Sequence, residues 1–237
     1  MQVFKYPNKR ESGQKAAAQG AALIKKTIAA KGTANIILAT GASQFEMLEA
    51  LTATEAIDWS AVTLFHLDEY IGLDDQHPAS FRKYLRERFE AKVGPLKNAF
   101  YVETENGTPE EVCQTLNEQI QAHPIDICFA GIGENGHLAF NDPPADFDTE
   151  APYIVVDLDE DCRKQQMGEG WFPTIDDVPR QAISMGIRQI FKSKTVILTV
   201  PDDRKAQAVK GTLEGEVSNL VPASILQNHD DTSIYLD

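Results

Sequence analysis

Short apolar runs, each followed by a helical pattern, constrain this chain more than any other feature. Asn35-Ile36-Ile37-Leu38-Ala39, Val62 to Leu67, Ile127 to Gly131 and Thr195 to Val200 are nearly unbroken in hydrophobicity. A strand with one solvated face would alternate apolar and polar residues. A continuous run has both faces covered, as in a parallel sheet sandwiched by helices. Between the runs lie helical segments at Gly13 to Lys31, Ser43 to Ala53, Ser80 to Ala91, Pro109 to Gln121 and Arg204 to Thr212. Further strands are expected at Phe100 to Val102, Tyr153 to Val156, Ala182 to Met185 and Ser233 to Leu236. The alternation predicts a doubly wound, largely parallel α/β sheet of Rossmann-like type. With 237 residues and no composition break, residues 1–237 are expected to form one domain. Asn141 to Pro179 is the least patterned region, and a lid is expected within residues 145–180.

In open parallel sheets, ligands bind beyond the carboxyl ends of the strands. Four segments fall there. Thr40-Gly41-Ala42-Ser43 is a small turn entering a helix. It reads equally as an anion cradle or as a plain cap, with Ser43 as N-cap and Glu46 three residues on. Asp68-Glu69-Tyr70 closes an apolar strand. Alternation sends the two carboxylates to opposite faces, so they are expected to do different jobs; taken alone, the pair reads either as solvated end-of-strand acids or as a site for a general base. His66 reads as a hydrogen-bonded structural histidine. Asp202-Asp203-Arg204-Lys205 opens a late helix with cations that read equally as a solvent-exposed pair of charges or as partners of a bound anion, which would offset their clash with the helix dipole.

The richest segment is Gly131-Ile132-Gly133-Glu134-Asn135-Gly136-His137-Leu138-Ala139-Phe140-Asn141-Asp142-Pro143. Its glycines spell G-x-G-x-x-G, and Asp157 lies about 20 positions on. A dinucleotide site needs a helix to open at those glycines, and Pro143-Pro144 stops one. The segment reads instead as a catalytic loop whose histidine can move protons near neutral pH.

Composition narrows the partners. The net charge is −14 with no Lys/Arg run, which disfavours nucleic acid. No apolar run is long enough for a membrane span, and the first ten residues lack a signal-peptide core, so a cytoplasmic location is expected. Cys113, Cys128 and Cys162 lack C-x-x-C spacing and read as reduced thiols, with no disulfide and no metal site. A homo-oligomer is compatible with the chain.

Taken together and in this order, the four segments resemble the glucosamine-6-phosphate deaminase (isomerase) family. Thr40 to Ser43 matches its T-G-[SA]-[ST] loop, and Asp68-Glu69-Tyr70 its D-E-Y. Gly131 to Pro143 matches G-[IV]-G-x-[ND]-G-H-[IL]-x-F-N-E-P except at Asp142, and Lys205 matches the family's late lysine. The resemblance implies an enzyme, an isomerase with net hydrolytic deamination. Glucosamine 6-phosphate and water would become fructose 6-phosphate and ammonia, with no metal or nucleotide cofactor. Thr40, Gly41, Ala42, Ser43, Gly136 and Lys205 would bind the phosphosugar. Asp68 would move the proton from C2 to C1. His137 would open the ring, with Asn135 and Asp142 as its partners.

Three departures matter. Asp142 is one methylene shorter than the family's glutamate. The lid arginine is missing from Gln165 to Phe172, which leaves Arg163, Lys164 and Arg188 as candidates. Basic effector-site residues are absent near Glu150-Ala151-Pro152, so no activation by an acetylated amino-sugar phosphate is expected. Galactosamine 6-phosphate, a phosphogluconolactone and a non-catalytic sensor remain as alternatives.

Overall fold

A computed structural model describes residues 1–237. Seven parallel strands form the main sheet: β1 (Gln2–Lys5), β2 (Ala34–Leu38), β3 (Val62–His66), β5 (Asn98–Phe100), β6 (Ile127–Ala130), β9 (Thr195–Val200) and β10 (Thr232–Leu236). Their order is β1-β10-β9-β6-β2-β3-β5. Three antiparallel strands form a smaller sheet, ordered β4 (Asp68–Tyr70), β8 (Gln181–Met185), β7 (Tyr153–Asp157). The chain steps from the main sheet to the small one at Leu67, between β3 and β4.

The apolar runs form strands because both faces are covered. Ile36, Leu38, Leu64, Ile127 and Phe129 pack on one side with α1 (Lys9–Lys31), α2 (Phe45–Thr52) and α3 (Phe81–Leu85). Ile37, Phe65, Cys128, Val196 and Leu198 pack on the other with α5 (Pro109–Gln121), α7 (Ile187–Phe191) and α8 (Ala206–Glu214). The period-two alternation along each strand sends successive side chains into different cores. The short helix α4 (Ala91–Val93) continues α3 through one wider turn at Arg86–Glu90. A third cluster, with Tyr70, Phe81, Phe140, Cys162 and Phe172, lies beneath α6 (Glu160–Gly168).

Local signals explain most helix ends. The Asn8 side chain accepts from the Glu11 N–H and starts α1, which ends at Gly32 with φ 81°. Thr108 and Glu111 form a reciprocal capping box on α5, with Pro109 at its first position. The cap expected at Ser43 does not form. A 3₁₀ turn, Ala42–Gln44, intervenes, and no side chain caps it or α2. Glu46 instead pairs with Lys9 at 3.0 Å. The region read as irregular also holds α6, started by Asp159, whose side chain accepts from the Cys162 N–H at 2.6 Å. No helix is long and apolar enough to cross a membrane.

β2 leads by way of β3 to β5 on one side, whereas β6, β9, β10 and β1 lie on the other. The topological switch therefore falls between β2 and β6. The loops leaving these two strands diverge at their carboxyl ends and open a crevice there.

Candidate active site

A cleft of about 540 Å³, counting its mouth, occupies that crevice. Thr40, Gly41, Ala42 and Ser43 form one wall. Gly131, Gly133, His137 and Ala139 form another. Asp68 and Phe81 lie at its base, Lys205 comes from beyond β9, and Gln165, Gln166 and Glu169 reach in from α6 and the residue after it. Asn135 borders a neighbouring polar groove, while Gly136 and Asp142 lie outside the cleft wall. Gly136 has φ 86°, and a Cβ added there would press on Val221.

The cradle is held by a residue the motifs did not flag. Gln44 is fully buried. Its Nε2 donates to Ser43 Oγ (3.1 Å), Ala130 O (3.3 Å) and Thr199 O (3.4 Å). Its Oε1 accepts from Thr199 Oγ1 at 2.9 Å. One amide thus ties the turn after β2 to the ends of β6 and β9. Gly41 has φ 100°, a conformation only glycine adopts without strain, and the Tyr84 hydroxyl donates to its carbonyl at 3.1 Å.

Asp68 and Glu69 are both buried, but their surroundings differ. Glu69 accepts from the N–H groups of Tyr70, Phe81 and Arg82, from Ser80 Oγ and from Arg82 Nε, at 2.9–3.3 Å. Burial pushes the Glu69 carboxyl up, while these donors and the Arg82 charge favour its ionised form. Arg82 carries the chain of contacts outward to Glu105 at 2.6 Å. Asp68, 6 % exposed, makes no side-chain hydrogen bond within the protein. Burial, reinforced by the charge of Glu69, pushes its carboxyl up to about 8.

His137 stands on Gly133, where any Cβ would overlap the imidazole. Its Nδ1 is 3.0 Å from Asp142 Oδ1, so the shorter carboxylate reaches the ring. Asn135 Oδ1 accepts from the His137 N–H (3.1 Å), and its Nδ2 donates to Asp142 Oδ1 (3.3 Å). Burial pushes the Asp142 carboxyl up. The contact and charge of His137, the Asn135 amide and the Asp159 N–H outweigh that and hold it below the usual carboxylate range. Past the histidine the loop is pinned to β8. Phe140 N donates to Ser184 Oγ (3.0 Å) and Asn141 Nδ2 to Met185 O (2.8 Å). Asp68 pairs with Ser184 in the same strand register.

Among the cations, only Lys205 lines the cleft. Burial draws its ammonium below the usual lysine value, against the opposing charges of Glu169, Glu134 and Asp202. The lid candidates are engaged elsewhere. Arg163 donates to the carbonyls of Ile175 and Val178, Arg188 to that of Phe147, and Lys164 pairs with Glu160. His66 is fully buried, accepts from the Val102 N–H through Nδ1 (3.3 Å), and is pushed down to about 3 by burial and by the charges of Arg82 and Arg86. It is a neutral structural group, as the sequence led us to expect.

A parallel α/β sheet thus brings a glycine-bearing turn, a buried strand-end carboxyl and a carboxylate-backed imidazole to one cleft at its switch point, the groups that acid–base chemistry on a small substrate uses. Residues 7–235 match the family model for glucosamine-6-phosphate isomerases and 6-phosphogluconolactonase, and the chain belongs to that family. It is 37% identical over 238 aligned positions to glucosamine-6-phosphate deaminase of Streptococcus pneumoniae serotype 4, covering 100% of this chain and 97% of the relative. A solved structure described as a monomeric glucosamine-6-phosphate deaminase superposes with a TM-score of 0.90 at 33% identity, covering 100% and 97% of the two chains. A 6-phosphogluconolactonase from Thermotoga maritima shares the fold, with a TM-score of 0.82 at 16% identity over 99% and 98%.

Proposed function

We propose that this chain is a glucosamine-6-phosphate deaminase, converting that aminosugar phosphate and water to fructose 6-phosphate and ammonia. The observation that carries the reading is the pairing of Asp68 and His137 across one cleft.

In this reading the Thr40–Ser43 turn and Lys205 hold the phosphate. Binding energy from that end, remote from C1 and C2, positions the reacting carbons. The imidazole of His137, backed by Asp142, moves a proton between the ring oxygen and O1 to open the sugar. Asp68 then takes the C2 proton and returns it at C1, and the amino group leaves as ammonia once water has added at C2. Asp68 without a ligand holds its proton through neutral pH. A cationic amino or iminium group beside it offsets Glu69 and favours the carboxylate that the reaction requires. The substrate's own charge thus readies the base.

Residues 1–237 act as one sugar-phosphate domain, and the segment 145–180 is its lid, with α6 as the cleft-facing part. Gln166 Oε1 accepts from the Tyr70 hydroxyl (2.8 Å) and Gln165 Oε1 from the Glu134 N–H (3.0 Å), two contacts that would release together on opening. The reaction belongs to amino-sugar breakdown.

The test is ammonia and fructose 6-phosphate release from glucosamine 6-phosphate by the purified protein. Absence of turnover by folded protein overturns the reading. Comparison of kcat/KM with galactosamine 6-phosphate fixes the epimer, and release of 6-phosphogluconate from its lactone would point to the hydrolase instead.

A further inference from the structure

The back of the imidazole holds an arrangement that the deamination does not use. His137 Nδ1, an Asp142 carboxylate oxygen and Cys162 Sγ all lie within 4.8 Å of one another. The three side chains come from two segments that α6 brings together. Cys162 is 1 % exposed and sits in the first turn of that helix. The His137 side chain is 9% exposed, and its Nδ1 makes no hydrogen bond of good geometry although Asp142 Oδ1 is 3.0 Å away. It is a buried nitrogen aimed at the other two groups. The hydrogen bonds that Asp142 does accept are long: Asn135 Nδ2 at 3.3 Å and Asp159 N at 3.4 Å. Besides burial, the groups that bear most on the thiol are the carboxylates of Asp142 and Asp159.

We propose that His137 Nδ1, the Asp142 carboxylate and Cys162 Sγ form a site for a thiophilic divalent cation such as Zn²⁺ or Cd²⁺, and that its occupancy arrests the imidazole.

The donor set is one nitrogen, one oxygen and one sulfur, the ligand types tetrahedral zinc takes. Metal–ligand bonds of about 2.0–2.3 Å place such donors roughly 3.3–3.8 Å apart, so side-chain shifts of about 1 Å complete the site. On binding, the Cys162 S–H bond breaks, its proton passes to solvent, and sulfur bonds the metal; no oxidation occurs. The lone pair of Nδ1 bonds the metal and the ring proton resides on Nε2. That nitrogen, the one left for the cleft, is then a donor only. It cannot accept the proton that ring opening hands over. Binding stands on this geometry alone, whereas the arrest rests on the role proposed above for His137.

The experiment is a Cd²⁺ titration of the full chain, following the near-ultraviolet thiolate-to-cadmium absorption, with deaminase turnover measured on the same samples. One equivalent is expected to develop the band and abolish turnover in parallel. C162S, a close replacement in volume, is expected to keep metal-free kcat/KM within about twofold, lose the band and bind Cd²⁺ about tenfold or more weakly. Circular dichroism confirms its folding, and C162A serves as a second variant. C113S is expected to retain the band. A band that survives in C162S, or disappears in C113S, overturns the site. A full band with undiminished turnover overturns the arrest of the imidazole. A full band in a protein that never turns over glucosamine 6-phosphate upholds the site and overturns the functional reading instead.

Discussion

Asp126 and Asp68 lie at opposite edges of the main sheet and are almost equally buried, at 3 % and 6 % exposure. At the amino edge, Asp126 accepts from the Asn35 N–H at 2.8 Å and pairs with Lys31 and Lys194 at 2.8 and 2.9 Å. Burial pushes its carboxyl up, but those three partners prevail and hold it below the usual range. At the carboxyl edge, Asp68 has no such partner and its neighbour is another anion. Burial alone therefore does not mark a functional carboxylate. The mark is burial that the protein has left uncompensated, because a group already satisfied by the fold has no affinity to spare for a substrate's proton.

The comparison breaks first at Asp68. D68N should lower kcat by about a thousandfold, within the range for loss of a general base, while phosphate-bearing ligands still bind. Steady-state kinetics and ligand titration check both. A larger stability loss than activity loss would mean that Asp68 is structural after all. E69Q comes next. It leaves Arg82 buried with only the outer carboxylate of Glu105 as an anionic partner, and should cost about 3 kcal/mol in urea unfolding. D126N should cost about 1–3 kcal/mol by the same measurement, with kcat of the folded protein within twofold.

The pH slope tests the same contrast, and it has opposite signs at the two edges. The folded carboxyl of Asp68 is raised from 3.8 to about 8. Between those values the folded state holds a proton that the unfolded chain has released, so this group lowers stability as pH rises through the window. The D68N protein should melt higher than the parent, by a margin that grows from pH 4 to pH 8. Asp126, with its folded value depressed, contributes stability above the unfolded value and loses it as pH falls through the folded one. The melting deficit of D126N should therefore shrink in acid.

The two edges were also unequally legible. β2, β3, β6 and β9 are plain in the sequence because being covered on both faces leaves an unbroken apolar run. β1 was missed because it is an edge strand whose Gln2, Val3 and Lys5 are exposed. β4 was missed because three residues gain strand geometry only by pairing with β8, more than a hundred positions away. The hydrophilic helix α6 hid in a stretch of acids, glycines and prolines, and only Asp159, an acid three before Cys162, marked its start. The motifs pointed to Asp68, His137, Lys205 and the Thr40–Ser43 turn, and all of them line one cleft. Gln44 carried no motif: a glutamine reads as a surface residue until three strand ends converge on it. The Ser43 cap does not form, and the Ser43 hydroxyl instead accepts from the Gln44 amide.

The step at Leu67 has a consequence for substrate length. The Thr40–Ser43 turn and Lys205 follow strands of the main sheet. Asp68 belongs to the small sheet, and the His137 loop is fastened to β8 of that same sheet. Under the function proposed above, a molecule held at its phosphate by the turn and deprotonated at carbon by Asp68 would bridge the seam between two sheets. The seam acts as a ruler for the carbon chain: a sugar phosphate with fewer carbons between its phosphate and its amine would bind at one end and fall short of the base at the other.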